Sequence, residues 1–290
     1  MGILDVSNIL DIHFDKMTIL GDLNSKKVFQ FKQLLKGNDT SLIDSRFHDY
    51  VRGKLLDDLV YFEYDKIKAK SFNTRNFRME FNPNNLTDEQ ILWLQTHVIP
   101  LLSDVGITRL DLAFDVDFDL SEYQFLPIGN SRQKSTVEFR DASRKLETLY
   151  IGKRQSDKMV RLYNKKLEQE NKGNVSDLPT WWRLEFELKR ETVNEFGEVF
   201  DTLQIKKPDL NELEKIEDRA ILYYLLDYPQ EWSNLSKRKK EKYRKMLREI
   251  KEEDITLVFK KGLEKKKAEL LQQLDDWFKN QYKVFESNEI

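Results

Sequence analysis

Cysteine is absent from this 290-residue chain, and histidine occurs only as His13, His48 and His97. That excludes disulfides, thiolate zinc sites and a cysteine nucleophile, and leaves little for a histidine-rich metal centre or a Ser-His-Asp triad. No apolar run approaches the ~18 residues needed to span a bilayer, and no signal-peptide pattern opens the chain. The expectation is a soluble, cytoplasmic protein with no membrane partner. Its chemistry has to come from tyrosine, carboxylates, lysine and arginine.

Those residues are plentiful. Charged residues make up 34% of the chain, against ~25% in ordinary globular proteins. A 39% hydrophobic and 12% aromatic content still supplies a core. The balance of 49 Lys+Arg against 51 Asp+Glu conceals an uneven distribution. Between Trp232 and Lys267 there are 14 basic and 6 acidic residues, a surplus of +8, which leaves 35 and 45, or −10, for the rest. A basic segment on an acidic body suits phosphate-backbone binding, since each Lys or Arg laid on DNA releases counterions. A solvated helix face accounts for the same charges.

Hydropathy spacing predicts short strands at Lys16–Leu20, Val60–Tyr64 and Phe77–Phe81. It predicts a helix over Lys26–Lys36 stopped by Gly37, and another behind the capping box at Thr87–Gln90, closed by Gly106. The most regular alternation lies in Thr108–Asp117 and Trp182–Arg190, with strands expected at Ser135–Arg140, Thr148–Lys153 and Met159–Lys165 between them. Antiparallel strands with one apolar side and helices packed on it make an α+β fold. From Pro208 onward only helical spacing appears, over Pro208–Tyr228, Trp232–Lys251 and Leu263–Tyr282. The expected division is a sheet domain over residues 1–206 and an all-helical basic region over 207–290.

Period-two alternation puts Leu110, Leu112 and Phe114 on one strand face and Arg109, Asp111 and Asp115 on the other. Glu185 and Glu187 likewise share a face, roughly 7 Å apart along their strand. If the two strands are neighbours, their carboxylates could bind a hard divalent cation such as Mg²⁺ or Mn²⁺. Cross-strand pairing of alternating Arg and Glu explains the same pattern without a metal. On a third strand, Tyr163 lies between Arg161 and Lys165. A free phenol is ionised in roughly one molecule in a thousand at neutral pH, and flanking cations would favour the phenolate that a nucleophile needs. A strand tyrosine packed against Lys and Arg stems is the plainer alternative.

The run Tyr150-Ile-Gly-Lys-Arg-Gln-Ser-Asp157 followed by Arg161-Leu-Tyr-Asn-Lys-Lys-Leu-Glu168 resembles the Rep-trans family of rolling-circle replication initiators from small Gram-positive plasmids. So do FRMEFNPN at 77–84, TRLDLAFD at 108–115 and WRLEFELKR at 182–190. The likeness runs in order from about Phe14 to the C-terminus, with a shorter N-terminus than longer members have. It implies a relative of the HUH (His-hydrophobe-His) endonuclease palm, with helices on one face, in a family that lacks the two-histidine signature. The present histidines lie outside the expected strands of interest.

The resemblance implies a DNA nickase and strand transferase. Its motif tyrosine falls on Tyr163, with Arg161 and Lys165 stabilising charge and Lys153 and Arg154 lining the strand entry. Glu185 and Glu187, with Asp111, become the expected ligands of Mg²⁺ or Mn²⁺. Origin reading falls to the basic segment with Lys237, Arg238, Lys239, Lys240, Lys242 and Arg244. Implied partners are origin DNA, as duplex and as extruded single strand, a PcrA-type host helicase, and a second copy in a homodimer. A relaxase of a mobile element and a non-catalytic DNA-binding regulator are the alternatives.

Overall fold

A computed structural model of the chain describes residues 4–36, 40–46, 49–128, 135–278 and 283–284. The expected helix stop at Gly37, the histidine at His48 and the expected helix end at Tyr282 lie outside these residues. The strands are β1 (Ile9–Asp22), β2 (Thr40–Arg46), β3 (Tyr50–Leu55), β4 (Val60–Asp65), β5 (Phe77–Phe81), β6 (Ser103–Val116), β7 (Gln124–Pro127), β8 (Thr136–Arg140), β9 (Leu146–Ile151), β10 (Lys158–Asn164), β11 (Trp182–Lys189), β12 (Leu203–Pro208), β13 (Glu252–Asp254) and β14 (Lys283–Val284). The α-helices are α1 (Ser25–Lys36), α2 (Lys66–Phe72), α3 (Asp88–Trp93), α4 (Lys165–Asn171), α5 (Ile216–Asp227), α6 (Lys237–Glu249) and α7 (Thr256–Phe278).

One sheet runs in the order β2-β3-β4-β5-β1-β6-β11-β10-β9-β8, with β14 added alongside β6. Neighbours along that path pair antiparallel. The α+β expectation therefore holds, with the two most regular strands, β6 and β11, paired to each other and β10 next to β11. Alternation decides which face is buried. Leu110, Leu112 and Phe114 of β6 and Leu184, Phe186 and Leu188 of β11 are all inaccessible to solvent. Each such side chain contributes roughly 1.5–3 kcal/mol on burial.

Aromatic contacts identify what covers that face. Phe31 of α1 meets Phe62 and Phe77 edge-on at 5.3 and 5.1 Å. Phe259 of α7 packs on Phe114 at 5.8 Å, and Trp277, near the other end of α7, lies 4.8 Å from Phe81. A 3₁₀ segment over Arg190–Asp201 adds Phe196 against Phe14 and Phe200 against Phe186. Gly262 permits the close approach of α7 to β1, since a Cβ there would come within 2.5 Å of Ile9 Cδ1.

Several expectations need correction. Gly106 does not close a helix. The helix after Thr87 continues through a π turn (Leu94–Val98) and a 3₁₀ turn (Ile99–Leu101), and Gly106 lies inside β6. A strand does follow Pro208, because β13 pairs with β12, which also pairs with β7. The boundary at 206/207 does not separate one core from another. α7 belongs to the sheet's own core, while Leu210, Leu222, Leu225, Tyr243 and Ile250 form a separate small core around α5 and α6. Amphipathic spacing shows that a helix has an apolar stripe but not which layer the stripe meets.

Candidate active site

The apolar face is packed, and the candidate site residues gather on the sheet's other face. On β10, Tyr163 is directly opposite Arg183 of β11, and Arg161 is opposite Glu185. Arg161 Cζ is 5.0 Å and Lys165 Nζ is 5.6 Å from the Tyr163 ring centre. Tyr163 thus has the two cationic neighbours expected from its motif, and its side chain is buried. The two cations are themselves engaged. Arg161 donates to both Glu185 oxygens at 2.7 and 2.6 Å, and Lys165 donates to Glu168 Oε2 at 2.5 Å.

The expected phenolate is not favoured. Burial pushes the Tyr163 hydroxyl above the ordinary tyrosine value, and the Glu185 and Asp15 carboxylates add to this; Arg183 and Arg161 only partly oppose it. Desolvation of the neutral-to-anionic step outweighs the cations.

The three expected metal ligands do share a face. Asp111 of β6 stands opposite Glu187 of β11, and Glu185 lies two residues along. Each is nevertheless closed by an arginine. Arg109 holds both Asp111 oxygens at 2.7 Å and reaches Glu187 Oε2 at 2.6 Å, while Arg161 holds Glu185. Burial raises the carboxyls of Asp111 and Glu185, and those arginines oppose the rise. Among the described residues no group of three His, Asp or Glu side chains is arranged to hold an ion. The oxygens are of the right kind for Mg²⁺ or Mn²⁺, but as arranged they do not fit one. Cross-strand pairing accounts for them.

Residues outside the expected set complete the surroundings. Arg183 donates through Nε and Nη2 to the two Asp115 oxygens at 2.7 Å each, and through Nη1 to Asp15 at 2.6 Å. Asn82 also donates to Asp15, at 3.1 Å. His13, expected outside the relevant strands, lies on β1 with Nδ1 3.0 Å from Asp11 and Nε2 3.8 Å from Asp15. Desolvation disfavours its charged form, but the bonds to Asp11 and Asp15 outweigh that and hold His13 up at about 9. Asp15 is held well below the usual carboxylate range: burial works against this, and His13 and Arg183 overcome it.

A backbone irregularity assembles this group. The pairing of β1 with β6 shifts register between Phe14 and Lys16. Ile12 and Phe14 before the shift, and Met17 and Ile19 after it, all remain buried. The extra residue leaves Asp15 and Lys16 together on the polar side, as bulges beside functional sites do. A cavity of about 390 Å³ opens there, lined by Asp15, Lys16, Tyr61, Arg109, Asp111 and Arg161 among others.

Lys153 and Arg154 are not brought to Tyr163. They are exposed on the β9–β10 turn, at the far end of β10. Gly152 opens that turn with φ of +103°, a backbone conformation that favours glycine. Lys189 Nζ donates to the Arg154 carbonyl at 2.5 Å and ties the turn to the end of β11.

The basic segment forms α6, capped by Ser236. Lys237, Arg238, Lys239, Lys242 and Arg244 are exposed on it and Lys240 is half-buried. Lys240 donates to the Ser233 carbonyl at 3.0 Å, Lys242 pairs with Asp218 at 2.5 Å, and Arg244 lies over the Trp232 ring. No helix among the described residues is long and apolar enough to cross a membrane.

Comparison with known proteins agrees across nearly the whole chain. Residues 16–102 match the model of a replication initiation protein N-terminal domain, and residues 105–284 match that of a replication initiation factor. Two replication initiation proteins from Staphylococcus aureus are 39% and 38% identical over 267 residues, spanning 92% of this chain and 84% of theirs. A rolling circle replication initiator protein from Geobacillus stearothermophilus aligns with a TM-score of 0.40 and 17% identity, over 63% of this chain and 76% of that one.

Proposed function

This chain belongs to the replication initiation factor family, and we propose that it starts rolling-circle replication by nicking one strand of its origin with Tyr163. The observation that carries this is a buried tyrosine, opposite Arg183 and between Arg161 and Lys165, on the open face of the sheet. The Tyr163 oxygen bonds to phosphorus as the P–O3′ bond breaks. The protein keeps the 5′ phosphate, and the proton lost by the phenol is balanced by the one the 3′-oxygen takes up. The phosphotyrosine conserves the bond energy, so reversing the step rejoins the strand without ATP.

Because burial holds the phenol in its protonated form, the positive charge around it does the remaining work. Arg183 is anchored by Asp115 and Asp15, which fixes its guanidinium with little freedom to lose on reaction. Arg161 is the more accessible cation and faces the cavity, where a phosphate's non-bridging oxygens would sit. A divalent ion would neutralise the same oxygens. Asp111, Glu185 and Glu187 would have to release Arg109 and Arg161 before they could hold one.

Helix α6 is the proposed reader of duplex origin DNA, with the exposed cations near its N-terminus on phosphates. Origin DNA, a PcrA-type host helicase and a second copy of the chain are the partners that follow. The test is incubation of the protein with a single-stranded origin oligonucleotide and Mg²⁺ or Mn²⁺. The native chain should yield a covalent adduct on a denaturing gel, and Tyr163→Phe should not. An adduct formed by the phenylalanine variant would refute the assignment.

A further inference from the structure

The polar face carries a second cavity, of about 460 Å³, that the chemistry above does not use. Thr18 of β1, Arg78 of β5 and Arg109 of β6 line it from the sheet, Lys189 and Arg190 from the end of β11. Lys68 and Phe72 line it from α2, which continues directly from the end of β4. Arg109 lines this cavity and also the one beside Arg161, so the two are successive sections of one trough. Six residues of β11 separate the Arg183 level from Lys189, or roughly 20 Å at ~3.4 Å per residue.

The two sections differ in charge. Near Tyr163 the lining has four carboxylates (Asp15, Asp58, Glu80, Asp111) against three cations. The far section has Glu63 and Asp65 against six cations, Arg75 being the sixth, and a bound phosphate would share Lys68 with Glu63, Lys189 with Glu187 and Arg190 with Asp157. Phe72 lines this cationic section and is 66% exposed. A large aromatic left open beside clustered Lys and Arg is the combination that single-stranded nucleic acid uses, stacking bases while its phosphates follow the charge. Arg190 adds two features. Its φ of +55° lies in the left-handed region that non-glycine residues rarely adopt, and its buried Nε has no partner among the described residues.

We propose that this cavity is a binding site for nucleotides of the single-stranded substrate that flank the cleaved phosphate, with a base stacked on Phe72 and phosphates held by Lys68, Lys189 and Arg190. It rests on the proposal that Tyr163 acts on a single strand, and it explains why the cationic end of the trough lies away from the tyrosine. The exposed loop with Lys153 and Arg154, tied to Lys189, extends the same basic end.

The test is fluorescence anisotropy with labelled oligothymidylates of increasing length, in a Tyr163→Phe background that prevents cleavage. Phe72→Ala should weaken binding of the longer oligonucleotides about tenfold, in line with ~1–3 kcal/mol per stacked base. Phe72→Trp should restore it. The shortest oligonucleotides, unable to span the trough, should lose less, and circular dichroism should be unchanged because Phe72 is exposed. Equal affinity of Phe72→Ala and its parent at every length would overturn the proposal. So would an equal loss at every length. The result is independent of the nucleophile: an adduct formed by Tyr163→Phe would refute that assignment and leave the binding measurement standing.

Discussion

Tyr163 and Arg183 occupy facing positions on β10 and β11, and Arg183 is locked there by three hydrogen bonds to Asp115 and Asp15. The pair joins a buried phenol to a buried cation whose counter-charges come from two other strands, β6 and β1. Removing the cation therefore does more than weaken one contact.

Arg183→Ala should cost about 3–5 kcal/mol, because the buried Asp115 would lose its guanidinium, while half-buried Asp15 would keep only His13 and Asn82. Urea denaturation measures this. Adding Asp115→Asn to the same chain should recover some of the loss, since one of the uncompensated charges is gone. A strictly additive double variant would contradict the network.

The pH dependence of stability follows from His13. Its folded value of about 9 is above the ordinary ~6.5, so the folded state binds the proton more tightly. The resulting stability is complete below about pH 6.5 and is lost as pH rises through about 9, by up to about 3 kcal/mol. His13→Gln should flatten that portion of the profile. A native chain whose melting temperature is constant from about pH 6.5 to about pH 9 would contradict it.

Because Tyr163 is held above the ordinary tyrosine value, the rate of adduct formation should climb with pH from about 7 to about 9 without levelling. A plateau in that range would mean a phenol ionised well below its usual ~10. Initial rates on a single-stranded oligonucleotide decide between these outcomes.

Arg109→Gln frees both Asp111 oxygens and leaves Glu187 with Lys189 as its remaining partner. Two carboxylates without their guanidinium should take up a hard cation, so Mn²⁺ should bind this variant more tightly than the native chain, as read by electron paramagnetic resonance. Equal Mn²⁺ affinity would show that Arg109 does not occupy the donor oxygens.

Replacing Lys237, Arg238 and Lys239 together by Ala should weaken duplex origin binding and lower the slope of log affinity against log salt by roughly 2–3, at ~0.9 per phosphate contact. Adduct formation on a single strand should change little. An unchanged slope would remove α6 from the duplex interface.

Much of this arrangement is legible from residue order alone. Strict alternation in Thr108–Val116 and Trp182–Lys189 identifies the two central strands and sorts their faces, because period two leaves little choice. The neighbours of Tyr163 on its own strand follow in the same way. Its cross-strand surroundings do not. β1 reads as five residues because the register shift at Asp15 breaks the alternation, although the strand runs over fourteen. His13 and Asp15 are hidden by that break, and Arg183 looks like one more solvent-facing charge until β1, β6 and β11 are side by side. The ion pairs at Asp111, Glu185 and Glu187 are a matter of which arginine is nearest in space. α7 gives a clear helical stripe, but its return to the sheet core depends on Phe259 and Trp277 meeting Phe114 and Phe81 from distant strands.

The most direct test is to locate the bond itself. Native protein trapped on a single-stranded origin oligonucleotide, digested and examined by mass spectrometry, should carry the nucleotide on the peptide containing Tyr163 and on no other tyrosine. Attachment to a different residue, or cleavage that leaves no covalent nucleotide on the protein, would contradict a Tyr163 strand transferase.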